Sequence, residues 1–150
     1  MIDRFERFSF AISGISRCWH KVTTDEMEKH GLKGTHSVYL VALTHFPEGV
    51  TAPRLGEVCG RDKADVSRMM NIMEKEGLVV KEGERTNKYG GIITLTDKGR
   101  ELAEIVSRRA SRAVELAGKD LTEEQREIFY MALESISDNL RQMSKEGIPE

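Results

Sequence analysis

Residues 51–80 read TAPRLGEVCGRDKADVSRMMNIMEKEGLVV, and this stretch decides the fold. Thr51 and Pro53 are typical of a helix start and Gly60 of a helix end, which predicts a short first helix between them. Asp62 is a suitable N-cap for a second helix. Two helices joined by so short a turn predict a helix-turn-helix.

A hairpin is predicted directly after this pair of helices. The segments 78–81 and 92–95 are short and rich in β-branched residues, and the segment 82–91 between them contains several glycines. Such a hairpin would form the wing of a winged helix-turn-helix. This order of elements can place a polar helix face in a DNA major groove, so the sequence predicts a DNA-binding protein.

The second helix of the motif has one apolar and one polar face. At about 100° per residue, the apolar side consists of Val66, Met69, Met70 and Met73. The polar side and the start of the helix supply the predicted DNA contacts, which are Arg61, Lys63, Ala64, Asp65, Ser67, Arg68, Asn71 and Lys75. In the major groove Arg suits guanine and Asn suits adenine, and a small alanine permits close approach. The alternative is an ordinary solvated helix face.

The predicted hairpin also offers polar side chains near its tip. Residues 82–91 are too many for a tight turn, and Arg85, Asn87 and Lys88 are expected to reach a phosphate or the minor groove. An ordinary polar loop is the alternative.

The charge of the chain gives no support for indiscriminate binding of nucleic acid. The 150 residues carry a net charge of −2, and residues 61–91 hold seven basic and six acidic side chains, a local balance of +1. A few well-placed Lys and Arg side chains would therefore have to make the DNA contacts.

Composition also indicates the cellular compartment. Two cysteines are too few for a disulfide scaffold and are typical of a reducing environment. No apolar run approaches the roughly 18 residues that a membrane span needs, and the charged N-terminus does not resemble a signal peptide. We therefore expect a cytoplasmic protein that does not bind membranes.

Long helices are predicted on both sides of the winged region. The first carries an apolar stripe at spacings of three and four, formed by Phe5, Phe8, Ile12, Ile15, Trp19 and Val22. The last begins with the capping box Thr122–Gln125 and carries a second stripe, formed by Phe129, Leu133, Ile136, Leu140 and Met143. A winged core of roughly 45 residues cannot bury both stripes, so we expect a homodimer joined by these helices. Packing within one chain is the alternative.

The predicted organisation is a single domain over residues 1–150, mainly α-helical with a small β-wing. Residues 1–34 and 119–150 are the expected dimerisation helices. Residues 35–99 are the winged helix-turn-helix, and residues 96–118 are a connecting helix that Thr96 caps.

Several segments resemble the MarR family of winged-helix regulators. They are Leu-Gly-Glu at 55–57, Asp-Lys-Ala-Asp-Val-Ser-Arg at 62–68, Gly-Leu-Val at 77–79 and Leu-Thr-Asp-Lys-Gly at 95–99. The resemblance spans nearly the whole chain. It implies a homodimer with intertwined terminal helices that binds a palindromic operator, usually for repression relieved by a small ligand. The wing departs from the family, because Asn87-Lys88-Tyr89 stands where Asp-x-Arg is usual, and Arg85 or Lys88 would have to substitute.

The resemblance also implies an effector site between the dimerisation helices and the winged helix. Trp19, His36 and Tyr39, together with the helix after Thr96, are the nearest candidates. Apolar and aromatic walls with a few polar groups favour a small aromatic compound. The alternative is that Trp19 belongs to the core of the dimer.

Catalytic and metal chemistry finds little support in the sequence. Because the chain has no phosphate-binding glycine loop, no His-Glu-x-x-His and no cysteine pair at metal spacing, we expect neither an enzyme nor a cofactor. Two alternatives stay open, a metal site that uses His20 and His36 with a carboxylate, and oxidant sensing by Cys18. Cys59 is expected in the core. A winged helix that binds only proteins is the alternative function.

Overall fold

A computed structural model of the chain describes residues 3–83 and 91–150. In this part of the chain the elements follow in the order α1 (Arg4–Glu28), α2 (His36–Leu43), β1 (Val50–Thr51), α3 (Ala52–Cys59), α4 (Lys63–Lys75), β2 (Val79–Glu82), β3 (Ile92–Leu95), α5 (Asp97–Ala117) and α6 (Glu123–Glu146). The predicted fold class, mainly helical with a small β-wing, is confirmed. The chain falls into two compact units, Met1–Ser111 and Arg112–Glu150.

Helix α3 begins and ends where the sequence signals predict. The Thr51 side chain accepts a hydrogen bond from the Arg54 backbone, and Pro53 lies in the first turn. Gly60 ends the helix in the left-handed region at φ 63°, a conformation that costs glycine little because it has no Cβ. The chain then turns directly into α4.

Helix α4 packs its predicted apolar face into the core. Val66, Met69, Met70 and Met73 are all buried, where they join a cluster with Leu40, Leu55, Leu78 and Val79. At the start of the helix, Asp62 Oδ1 accepts a 2.8 Å hydrogen bond from the Asp65 backbone. The N-cap and the methionine face together fix which side of α4 is exposed.

The small sheet has the strand order β1-β3-β2 and is antiparallel throughout. In the predicted hairpin, Val79 lies opposite Leu95 and Lys81 lies opposite Ile93. The third strand, β1, was not predicted, because two residues are too few to show an alternating pattern. β1 adds Val50 opposite Ile93 and so joins the start of α3 to the wing.

The segment 95–99 connects the wing to the end of α4. Thr96 Oγ1 donates a 2.6 Å hydrogen bond to the Gly77 carbonyl and accepts a 3.0 Å hydrogen bond from the Gly99 backbone. A Cβ at residue 99 would lie 2.1 Å from the Leu78 carbonyl oxygen, so only glycine fits at this position. Lys98 Nζ donates to the Glu76 carbonyl at 2.9 Å. The segment 95–99 therefore holds the end of α4 against the start of α5.

Helix α1 exposes the apolar stripe that the sequence predicts for it. Phe5, Ile15 and Val22 are exposed, whereas Met27, near the end of the helix, is buried. An ion pair of 2.9 Å between Glu26 and Arg109 connects the end of α1 to α5. Lys29, and after it Arg109, hold the pKa of the Glu26 carboxyl below its usual range.

The second unit consists of the end of α5, a short connection and α6. Thr122 and Gln125 form the predicted capping box at the start of α6. Arg126 donates 2.9 Å hydrogen bonds to the Glu115 carboxylate and the Gly118 carbonyl, which ties the start of α6 to the connection. The residues of α6 are exposed except Arg126 and Met143, which are half-buried. Four of the five residues of its predicted apolar stripe, Phe129, Leu133, Ile136 and Leu140, are therefore exposed in the single chain.

Candidate nucleic-acid interface

The outer face of α4 displays nearly all the contact residues predicted for this helix. Helix α4 is capped at its N-terminal end by Asp62 and packs four apolar side chains into the core. At its C-terminal end, Lys98 of the 95–99 segment bonds to it. The half-buried exception is Asp65. The exposed residues are Arg61, Lys63, Ala64, Ser67, Arg68, Asn71 and Lys75.

Asp65 is engaged inside the protein through both of its carboxylate oxygens. Oδ2 accepts a 2.5 Å hydrogen bond from the hydroxyl of Tyr39, a fully buried residue of α2. Oδ1 accepts a 2.6 Å hydrogen bond from Arg68 Nη2, one turn further along α4. Its negative charge is therefore shared between a phenol and a guanidinium, and the charge-assisted bond to Arg68 orients that arginine.

The ionisation of this group follows from its contacts. The Tyr39 hydroxyl, and after it the Arg68 guanidinium, hold the pKa of the Asp65 carboxyl below its ordinary value. Burial, and then the hydrogen bond to Asp65, raise the pKa of the Tyr39 phenol. At neutral pH the pair therefore consists of a neutral phenol that donates and an ionised carboxylate that accepts.

A strand of the wing fixes the orientation of Asn71. Lys81 Nζ, on β2, donates a 2.6 Å hydrogen bond to Asn71 Oδ1. Because an ammonium group has only donors, the side-chain atom of Asn71 that faces Lys81 has to be the carbonyl oxygen. Lys81 uses one lone pair of Oδ1, and neither the second lone pair nor the amide nitrogen Nδ2 takes part in this bond.

A buried histidine lies against the other end of α4. His36 Nε2 is 3.3 Å from the carboxylate oxygen of Glu76, the C-terminal cap of α4. His36 Nδ1 lies 2.9 Å from the Lys33 backbone nitrogen and 3.0 Å from the Lys33 carbonyl oxygen, so the tautomer of the ring decides whether this atom accepts or donates. Among the described residues, neither His36 Nε2 nor Glu76 Oε2 has a hydrogen-bond partner.

Two of the three predicted effector-site residues therefore contact α4. Tyr39 bonds to its first turn and His36 lies beside its C-cap, and both side chains are buried. Trp19 lies on α1 with 40% of its surface exposed. The three residues are not equivalent, since α2 supplies the two that reach α4.

The remaining predicted features are distributed as follows. Arg85, Asn87 and Lys88 lie outside the described residues. Cys18 is exposed, whereas Cys59 is half-buried against the core and its burial raises the pKa of its thiol. Within residues 3–83 and 91–150, no group of three His, Cys, Asp or Glu side chains is placed to hold a metal ion. The helices described for this chain include none with the length and apolar character for a membrane span.

Known proteins share this architecture. Residues 30–88 match the model of the MarR family. A Listeria monocytogenes MarR family transcriptional regulator, solved with a 26mer DNA, matches with a TM-score of 0.80 and 24% identity, over 100% of this chain and 99% of that one. S. aureus MepR, solved as a DNA complex, matches with a TM-score of 0.81 and 19% identity, over 89% of this chain and 97% of that one.

A MarR protein from Peptoclostridium difficile is also similar, with a TM-score of 0.84 and 22% identity, over 95% of this chain and 94% of that one. Among curated protein sequences, none matches this chain. These three structural matches, each below 25% identity, show the winged-helix fold.

Proposed function

Because residues 30–88 match the model of the MarR family, we propose that this protein is a homodimer that binds a palindromic operator and represses transcription until a small ligand releases it. The observation that carries the proposal is the outer face of α4. It presents Arg68, paired with Asp65, and Asn71, bonded to Lys81, on a helix whose opposite face is buried in the core. The occurrence of DNA in two solved structures of the same fold supports this function.

Two uncovered apolar faces support the homodimer. Helix α1 exposes Phe5, Ile12 and Ile15, and α6 exposes Phe129 and Leu140. Continuous apolar faces of this length usually mark an interface. A second copy would cover them and would bring a second α4, at a separation of about one DNA turn, roughly 34 Å.

Ligand release has a physical route through α2. A small aromatic compound that displaced Tyr39 or His36 would break a contact to the first turn or to the C-cap of α4. Binding weakens DNA affinity only if the ligand prefers the form with displaced reading helices, and a tenfold loss needs about 1.4 kcal/mol of such preference. The emission of Trp19, the sole tryptophan, would report compounds that bind near α1.

The proposed function is tested by a mobility shift on the intergenic DNA upstream of the protein's own gene. The expected result is a discrete complex at nanomolar protein that survives an excess of unrelated competitor DNA and dissolves when unlabelled specific DNA is added. A complex that both competitors remove equally would contradict sequence-specific binding. A screen of small aromatic compounds on the same complex tests the ligand response. Failure of every compound to release DNA would contradict the proposed release by a small ligand.

A further inference from the structure

We propose that Asp65 raises the sequence discrimination of α4 by lowering the affinity of this helix for unrelated DNA. Its carboxylate offsets the attraction of neighbouring cations for phosphates and orients Arg68 for base contacts. This inference rests on the proposed function, since it requires α4 to read DNA. It makes Asp65 a positioning residue that acts through its neighbours, whereas the sequence predicts a direct DNA contact.

The carboxylate of Asp65 is held in place from inside the protein. The hydroxyl of Tyr39, a buried residue of α2, donates to Oδ2 at 2.5 Å. The Asp65 backbone is also fixed, because it donates to the N-cap Asp62. The side chain keeps 18% of its surface exposed. A negative charge therefore stays beside the exposed face of α4 and does not move away with a flexible side chain.

The contacts of Asp65 keep it ionised at neutral pH. The Tyr39 hydroxyl, and after it the Arg68 guanidinium, hold the pKa of the Asp65 carboxyl below its ordinary value, and the positive charge of Arg61 acts in the same direction. The charge of Asp65 thus acts on two of the arginines that are predicted to contact DNA.

Two sources of phosphate attraction meet this negative charge. Arg68 Nη2 donates a 2.6 Å hydrogen bond to Oδ1, so this pair of side chains has no net charge, and the guanidinium keeps its other N–H groups for a base. Asp65 also lies in the first turn of α4, where backbone N–H groups carry partial positive charge and attract anions.

The two kinds of DNA binding depend differently on these charges. Binding to unrelated DNA depends on phosphate contacts, which follow the charge of the protein surface. Contacts with base edges depend in addition on donors that point in a defined direction. A carboxylate that reduces the local positive charge and orients a guanidinium therefore weakens unrelated binding more than specific binding.

Asp65→Asn in the full-length protein tests the inference, because asparagine keeps the shape and an oxygen that can accept from Tyr39 but has no charge. Fluorescence anisotropy at several salt concentrations measures the affinity for the intergenic fragment and for an unrelated duplex of the same length. Affinity for the unrelated duplex should rise at least about fivefold at low salt, the effect of one unit charge about 4 Å from another in water. The dependence of this affinity on salt should become steeper.

The affinity of Asp65→Asn for the intergenic fragment should not rise, because the gain at phosphates is offset by the lost orientation of Arg68. The ratio of the two affinities should therefore fall at least about fivefold. Asp65→Glu retains the charge and should bind the unrelated duplex no better than the unmodified protein does. Asp65→Ser is short and uncharged and should behave as Asp65→Asn does. Circular dichroism verifies the folding of each variant, and Asp65→Ser decides the matter if Asp65→Asn is misfolded.

Asp138→Asn is the matched control for the loss of one negative charge. Asp138 forms the same type of ion pair on α6, with Arg141 three residues later, so the change in net charge and in pairing is the same. This variant should leave the ratio of the two affinities unaltered.

The outcomes separate this inference from the proposed function. If the unmodified protein does not prefer the intergenic fragment to the unrelated duplex, the proposed function fails and the inference with it. If the preference exists but Asp65→Asn raises both affinities by the same factor, or raises neither, the function stands and the inference is overturned. An equal effect of Asp138→Asn and Asp65→Asn would show a response to net charge alone and would also overturn it.

Discussion

The buried hydroxyl of Tyr39 donates a 2.5 Å hydrogen bond to the carboxylate of Asp65. This bond connects α2, in the core, to the first turn of α4, and the second oxygen of Asp65 holds Arg68. The position of an exposed arginine on α4 thus depends on a tyrosine that has no access to solvent. Displacement of Tyr39 would break this bond and leave Asp65 paired with Arg68 alone.

Replacement of Tyr39 by phenylalanine tests this connection. Tyr39→Phe keeps the ring in the core but leaves Asp65 without its donor, so we expect a loss of about 1.5 kcal/mol in the free energy of unfolding near pH 7, typical of a hydrogen bond to a charged group. Affinity for specific DNA should also fall, because Arg68 loses its orientation. Tyr130→Phe, at an exposed tyrosine of α6, is the matched control.

The same variant has a characteristic pH dependence. The folded-state pKa of Asp65 is lowered, so its stabilising contribution is complete above the unfolded carboxyl pKa of about 3.9 and is lost as the pH falls through the folded-state value. The difference in unfolding free energy between the unmodified protein and Tyr39→Phe should therefore narrow below about pH 4. Denaturant titrations between pH 7 and pH 3 measure this difference in unfolding free energy. A difference that does not change with pH would disprove the dependence on ionisation of Asp65.

Arg68→Ala should weaken specific DNA binding with little effect on stability. The Arg68 side chain is 65% exposed and its ion pair with Asp65 is of a kind that contributes well under 1 kcal/mol to folding. A good base contact, by contrast, gives roughly 1–3 kcal/mol of discrimination. We expect a five- to hundredfold loss of affinity for specific DNA, measured by fluorescence anisotropy, and an almost unchanged Tm.

Arg141→Ala is a closely matched control for this variant. Arg141 forms the same type of pair, with Asp138 three residues before it, and its side chain is 64% exposed on α6. Its removal should leave DNA affinity unaltered. Equal affinities of the two variants would show that α4 is not the reading helix.

Gly99→Ala should destabilise the winged region. The added methyl group would overlap the Leu78 carbonyl oxygen, which belongs to the backbone and cannot rotate away. Overpacking of this kind costs about 1–3 kcal/mol or more, and we expect a clear decrease in Tm. Gly118→Ala is the control, because its Cβ would meet neighbours no closer than 3.6 Å, and a similar loss of stability in both variants would refute the close-approach explanation.

The proposed dimer gives a prediction about α6. Leu133 lies on its apolar stripe, whereas Met131 lies on the opposite side at about 100° per residue. Light scattering of the unmodified protein should give about twice the 17.0 kDa mass of the chain. Leu133→Glu should dissociate or destabilise the dimer, and Met131→Glu should not. A monomeric unmodified protein, or equal behaviour of the two variants, would rule out this interface.

Local signals in the sequence were sufficient for the main elements. Thr51, Asp62 and Thr122 each accept a hydrogen bond from a backbone N–H three residues later. The capping residue and the helix start that it predicts therefore lie in one short segment of sequence. The apolar face of α4 is likewise a matter of helical period, and the four predicted residues are buried. These features depend on spacing alone.

The contacts that fix the candidate site could not be derived in the same way. Tyr39 and Asp65 are 26 residues apart, and Thr96 reaches Gly77 across 19. Such pairs depend on how helices and sheet pack, and no spacing rule connects them. The sequence therefore indicated Asp65 only as a DNA contact, and it gave no sign that Lys81 bonds to Asn71.

A footprint on the bound DNA tests the central claim, that a symmetric dimer reads DNA with two copies of α4. Hydroxyl-radical and methylation protection on the intergenic fragment should reveal two equivalent protected patches in successive major grooves on one face of the duplex, about 10 base pairs apart from centre to centre. Arg68→Ala should lose protection in both patches together. A single asymmetric patch, or protection without a centre of symmetry, would contradict the account.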